Sequence, residues 1–171
     1  MITKYDPKIY PLKLYVAVGN DQWKKINRKF TNHNHDPIDI SKDEIERCYG
    51  LTINVREKST NNLGVLIWLS NDGLKINTVA HESTHYVCDV FDYCDISMGY
   101  KNGQDEHFAY LLGWCVECVM NSVTKYLKNN NYSNLDQKHS GNANNDFQTY
   151  AQNLFDEQLL SKYAFLYKNT G

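Results

Sequence analysis

Long apolar runs are absent from this sequence of 171 residues, and the longest segment of that kind is Leu63 to Leu69. A membrane-spanning helix needs about 20 apolar residues, so no membrane partner is expected. The first residues also lack the basic segment, the apolar stretch and the small-residue cleavage site of a secretory signal. Together these absences predict a cytoplasmic protein.

An excess of basic residues is also absent. Lysine and arginine number 18 against 20 aspartates and glutamates, which gives a formal net charge of −2. Nucleic-acid-binding surfaces are strongly basic, so no nucleic-acid partner is expected. The five cysteines form an odd set in a chain without an export signal, and this pattern is typical of free thiols that pack as small apolar side chains.

The sequence does contain enough apolar material for a folded domain. Hydrophobic residues make up 42% of the chain and aromatic residues 13%, which argues against disorder. A chain of this length buries a continuous core without disulfides as its main support. We therefore expect one domain over residues 1–171.

Three segments have the pattern of β-strands, with alternating or unbroken apolar residues bounded by turn residues. They are Ile9 to Val18, Leu51 to Arg56 and Leu63 to Ser70. The last is either an edge strand that pairs with an extended peptide or, as its unbroken apolar run favours, a buried central strand. A short helix is expected over residues 21–30, and Ser41 and Glu44 have the spacing of a capping box that opens another.

Longer helices are predicted in the second half of the chain. Apolar residues recur at helical spacing from Leu74 to about Phe91 and from Asp105 to about Leu127. The asparagine-rich stretch Lys128 to Asn145 predicts a flexible loop, and a last helix is expected from Asp146 to Tyr167. The predicted fold class is α+β, with a small mixed sheet packed against the long helices.

The first long helix contains the motif HExxH, as HESTH at residues 81–85. Residues four apart lie on one face of a helix, so we expect the imidazoles of His81 and His85 to bind one metal ion. Glu82 lies beside them, within reach of the same ion. The motif lies in a strongly periodic helix, and this context favours a zinc site over two ordinary surface histidines.

A catalytic zinc has three protein ligands and one open position, so a third ligand has to come from elsewhere in the chain. The candidates that follow the motif are Asp89, Asp92, Asp95, Asp105, Glu106 and His107. Glu106 is favoured because it shares a helix face with Tyr110 and with Gly113, which would permit a close helix approach. His107 is the alternative and would give a site of three histidines, whereas Asp105 suits a helix end.

These residues resemble a known family, the small zinc metallopeptidases of phages and bacteria. The resemblance lies in a strand, in VAHESTH at residues 79–85, and in a helix that opens with an acidic pair, here DEHFAYLLG at residues 105–113. It covers roughly Leu63 to Val119. It implies a zincin-like fold of the gluzincin type, with Glu106 as third zinc ligand, although His107 stands where these proteins often have proline. For a phage-encoded chain the expected location is the host cytoplasm or the virion.

The function expected from this site is hydrolysis of a peptide bond in a peptide or protein substrate by a metal-activated water, with Glu82 as general base. Tyr110 or His107 would donate a hydrogen bond to the oxyanion, although packing is the simpler interpretation of Tyr110. Asn77 and Asp89 lie four residues before and after the histidine pair. Either they orient the imidazoles through the second ring nitrogens, or they are ordinary surface residues, and the sequence favours neither interpretation.

The alternative function is that of a zinc-containing structural or binding protein that keeps the peptidase fold without turnover. A virion or assembly component with a protein partner is an example. Glu82 favours the enzyme, because a zinc site without catalysis does not need an acid that is not a ligand.

Overall fold

The computed structural model describes residues 1–97, residue 99 and residues 105–135. Packing divides the chain into two compact units, Met1–Asn129 and Asn130–Gly171. The expected single domain over residues 1–171 stays a prediction. Every described strand lies in the first unit, and the helix predicted for Asp146 to Tyr167 lies outside the described residues.

Five strands of the described residues form one sheet. They are β1 (Ile2–Tyr5), β2 (Lys13–Val18), β3 (Phe30–Thr31), β4 (Gly50–Glu57) and β5 (Leu63–Leu69). Their order across the sheet is β1-β2-β5-β4-β3. β2 and β5 are parallel and the other neighbours are antiparallel, so the predicted mixed sheet is confirmed.

The strand β5 lies in the middle of the sheet. It pairs with β2 on one side and with β4 on the other. A strand that is apolar at consecutive positions buries both faces, and here the side chains from Val65 to Leu69 have no exposed surface. The interpretation of Leu63 to Ser70 as an edge strand is therefore wrong, and the buried central strand is confirmed.

Four α-helices accompany the sheet in the described part of the chain. They are α1 (Trp23–Lys29), α2 (Lys42–Arg47), α3 (Ile76–Tyr93) and α4 (Glu106–Leu135), with 3₁₀ turns at Asn20–Gln22 and Asn71–Gly73. The capping box is confirmed, since Ser41 Oγ accepts the amide of Glu44 at 3.2 Å and Glu44 Oε2 accepts that of Ser41 at 2.7 Å. None of the described helices has both the length and the apolar character needed to cross a membrane.

Apolar cores cover both faces of the sheet. α3 and α4 pack on one face against alternate residues of β2 and β5, such as Ile67. α1 and the segment that leads to β4 cover the other face, where Trp68 Nε1 donates to the Gly19 carbonyl at 2.9 Å. Cys115 and Cys118 are buried in the first core, and the cysteines are free, as expected. This layering confirms the predicted α+β class.

The first strands differ from the sequence prediction. β2 begins at Lys13 rather than Ile9, because Pro11 has no amide hydrogen to donate to a strand ladder. Ile9 is 83% exposed. The sequence pattern does not predict β1, which is too short for a clear periodicity and is held by its antiparallel pairing with β2.

The end of α4 also differs from the prediction. The helix continues to Leu135, so the loop predicted for Lys128 to Asn145 is wrong over residues 128–135, and residues 136–145 lie outside the described part. Asparagine is a weak helix former, but each one costs less than about 1 kcal/mol relative to alanine. No glycine or proline occurs between residues 128 and 135, and helix propagation is cooperative.

A buried carboxylate at the end of β4 links three strands, β1, β2 and β4. Glu57 is 5% exposed, and its Oε2 accepts hydrogen bonds from Lys4 at 2.9 Å, Thr60 at 2.6 Å and Tyr15 at 3.2 Å. Lys29 Nζ lies 3.0 Å from Oε1. Burial alone would raise the pKa of Glu57, but the bonds from Thr60, Lys4 and Lys29 outweigh it and lower the pKa to about 2.

Replacing Glu57 with glutamine should lower the free energy of unfolding by about 3 kcal/mol at pH 7. The pKa is lower in the folded state than its ordinary value of 4.5, so this contribution is complete above pH 4.5 and is lost as the pH falls towards 2. Urea unfolding at pH 7 and pH 3 measures it. The control is Glu46→Gln, which removes only the exposed pair with Lys42. Equal destabilisation by the Glu57 variant at both pH values would contradict the prediction.

Candidate metal centre

The helix α3 presents His81 and His85 together on an exposed face. Their Nε2 atoms are 3.1 Å apart, and the ring planes meet at 81°. Two nitrogens bound to a tetrahedral zinc lie roughly 3.3 Å apart, which follows from zinc–nitrogen bonds of about 2.0–2.1 Å. A hydrogen bond between the rings, with one imidazole as donor, accounts for the same distance. The pair therefore fits two ligand positions of a zinc ion.

The carboxylate of Glu82 lies on the side of α3 that faces β4. Glu82 is 6% exposed, and Thr52 Oγ1 donates to its Oε2 at 2.6 Å. Gly50, two residues earlier on the same face of β4, lies directly against the carboxylate. A Cβ at Gly50 would be 2.7 Å from Glu82 Cγ and 2.8 Å from Oε1. The acid next to the histidine pair is therefore held by a neighbouring strand.

Asp89 lies one turn beyond His85 on the same helix. It is half-buried, so part of its side chain still reaches solvent. Burial raises the pKa of Asp89. A hydrogen bond with Asn54 and the nearby imidazoles of His85 and His33 lower this pKa and so offset part of the rise. Asn77 is exposed, and its Oδ1 accepts the amide of Thr78 at 2.9 Å. The role of these two residues in orienting the imidazoles stays a prediction.

The start of α4 carries Glu106, His107 and Tyr110, and all three side chains are exposed, Tyr110 to 74%. Within residues 1–97, 99 and 105–135, no three His, Cys, Asp or Glu side chains form a group that could hold a metal. The structure thus brings His81 and His85 together and leaves Glu106 outside the pair. The packing role of Tyr110 is wrong. Its catalytic role and the metal-ligand role of Glu106 stay predictions.

The face of α4 that Glu106 shares with Gly113 and Glu117 is exposed rather than turned towards a neighbouring helix. A Cβ at Gly113 would meet no atom of the described residues within 4 Å, so the expected close helix approach is wrong. The buried face of α4 is the apolar one. It contains Leu111, Cys115, Cys118, Val119 and Val123. Burial of this stripe fixes the rotation of the helix.

Thr52 and Gly50 are the site residues that sequence reasoning does not find. They are 30 or more positions from Glu82, and no short motif joins them to it. The only signal is the alternation of β4, where small or polar residues at 50, 52 and 54 point to the face opposite the apolar Val55.

No family model, curated protein or solved structure matches this chain. The resemblance over residues 63–119 therefore stays a prediction.

Proposed function

We propose that this protein is a zinc-dependent peptidase whose metal is bound by His81, His85 and Glu106. The observation that carries the proposal is the convergence of the two Nε2 atoms at 3.1 Å, next to a carboxylate that β4 holds in a fixed position. Both histidines are exposed, so a metal ion and a peptide can reach the pair from solvent.

Zinc, when bound, supplies a Lewis acid that acidifies water and polarises the scissile carbonyl. Glu82 takes one proton from the attacking water while the water oxygen bonds to the carbonyl carbon. The same carboxyl group then gives this proton to the amide nitrogen as the carbon–nitrogen bond breaks. The second proton of the water passes from the new carboxyl group to the amine, so the products are a carboxylate and an ammonium group, and Glu82 returns to its ionised form.

The third ligand in this proposal comes from the first turn of α4. Glu106 is the first residue of that helix and its side chain is exposed, so no core contact holds its carboxylate. His107 is the alternative ligand. Tyr110, one turn after Glu106 and also exposed, is then the proposed donor to the oxyanion.

An extended peptide is the substrate that the sheet favours. β4 pairs with β5 along one edge, while on its other edge β3 pairs only with Arg56 and Glu57. No described residue forms a backbone pair with the outer edge of β4 over residues 50–55. A substrate strand added there would run past Thr52 and Glu82, with its main-chain groups bonded to β4.

A zinc-binding protein without catalysis is the second candidate. The observation in its favour is the bond from Thr52, which already gives the buried Glu82 carboxylate a partner inside the fold. In that case Glu82 stabilises the contact between α3 and β4 and transfers no proton.

Metal analysis and hydrolysis of a mixed library of fluorescence-quenched peptides test the proposed function. We expect about one zinc per chain and peptide cleavage that a chelator abolishes and added zinc restores. His81→Ala and His85→Ala should each lose the metal and the activity, whereas the matched control His35→Ala, in the loop after β3, should lose neither. Full zinc content in either α3 variant would contradict the assignment of ligands.

A further inference from the structure

We propose that Thr52 and Gly50 of β4 are positioning residues for Glu82, which fix one carboxylate oxygen and leave the other to accept the proton of the attacking water. This inference rests on the proposed peptidase function. It adds residues of the sheet to a site that the helix motif alone does not define.

The hydrogen bonds of Glu82 distinguish its two oxygens. Oε2 accepts the Thr52 hydroxyl at 2.6 Å, while no described residue donates a hydrogen bond to Oε1. The same hydroxyl also lies 3.2 Å from the Glu82 carbonyl, so Thr52 contacts both the main chain and the side chain of this residue. Oε1 is therefore the oxygen with free lone pairs for proton transfer.

Gly50 provides the space that this position of the carboxylate requires. A Cβ at residue 50 would lie 2.7–2.9 Å from Glu82 Cγ, Cδ and Oε1, closer than real Cβ contacts. Any side chain there would push the carboxylate away from β4. On β4, Thr52 therefore donates a hydrogen bond to Glu82, and Gly50 leaves room for its carboxylate.

A general base works when its proton-accepting atom is held in the reactive geometry. A glutamate on a helix surface rotates about several bonds, and the Thr52 bond removes much of that freedom. The competing interpretation is that Thr52 only satisfies a buried carboxylate, which affects stability and not the rate of turnover. The two interpretations differ in their kinetics. Loss of a positioning residue lowers kcat and leaves KM nearly unchanged, whereas loss of a residue that only stabilises the fold changes neither constant in the folded protein.

The experiment compares Thr52→Val, Thr52→Ser and Gly50→Ala with wild type, using the zinc-loaded full chain and the best-cleaved peptide of the library. Thr52→Val keeps the shape and removes the hydroxyl, so kcat should fall by about 10- to 100-fold with KM within about twofold. Thr52→Ser keeps the hydroxyl and should recover most of the rate. Gly50→Ala should lower kcat in the same way. The matched control Thr124→Val, on an exposed position of α4, should change neither constant.

Zinc content and the thermal unfolding midpoint of each variant exclude loss of the metal or the fold as the cause. A kcat of Thr52→Val equal to that of wild type would overturn the positioning role and leave the peptidase proposal intact. A serine variant as slow as the valine variant, with both fully folded, would also overturn it. Wild type with bound zinc and no hydrolysis of any library peptide would overturn the proposed function, and the positioning role with it.

Discussion

Peptide hydrolysis should fall by about 10²- to 10⁴-fold in Glu82→Gln, while the zinc content stays at about one ion per chain. Glutamine has the shape of glutamate but cannot take a proton from water. Because Glu82 is the proposed base and not a ligand, its loss should leave metal binding intact. Inductively coupled plasma analysis and the library assay measure both quantities on one preparation.

The surroundings of Glu82 allow this substitution to remove the base without changing the packing around it. The amide oxygen of glutamine can still accept the Thr52 hydroxyl, so the contact between α3 and β4 is kept. Glu117→Gln is the control, because it makes the same chemical change at an exposed position of α4. It should behave as wild type in both measurements.

Either of two results would contradict this assignment. Unchanged turnover in Glu82→Gln would remove Glu82 from the chemistry and favour the zinc-binding protein without catalysis. Loss of zinc in the same variant would make Glu82 a ligand, and the site would then need another base.

Zinc affinity should fall by more than about 100-fold in Glu106→Ala and change little in His107→Ala. The site has only three protein ligands in this proposal, so removing one leaves a weak pair of histidines. Competition with a chromophoric chelator measures the dissociation constant of each variant. All titrations are done at one pH, because protons compete with zinc for the histidines and the carboxylate.

The two variants discriminate because adjacent helix residues point about 100° apart, so Glu106 and His107 cannot both serve one ion without distorting the turn. Both side chains are exposed in the structure, so neither substitution removes core packing. Asp105→Ala is the matched control, since it removes an exposed acid from the same turn. Tight binding by Glu106→Ala together with weak binding by His107→Ala would reverse the assignment.

Local patterns predict most of the described elements correctly. α3 follows from the helical spacing of residues such as Val79 and Val90, and β5 from its apolar run. The errors have two causes, a pairing partner elsewhere in the chain and the cooperativity of a helix that is already formed. β1 forms because β2 is beside it, and α4 continues past Leu127 because nothing in its sequence stops a helix that is already formed.

The sequence by itself determined the histidine pair. His81 and His85 are four residues apart, and the pitch of an α-helix brings such residues to one face with Cβ atoms about 5–6 Å apart. The side-chain rotamers then bring their Nε2 atoms to 3.1 Å. Helix geometry is local, so neither the sheet nor the second long helix is needed to predict it.

Only the tertiary structure decided what surrounds that pair. Packing of α3 on β4 brings Thr52 and Gly50 to the Glu82 carboxylate, although they are far away along the chain. Burial of the apolar stripe of α4 turns Glu106, Tyr110 and Gly113 outward, against the prediction from their shared face. A shared face follows from periodicity, but its direction follows from which face buries more apolar surface, and that depends on the whole fold.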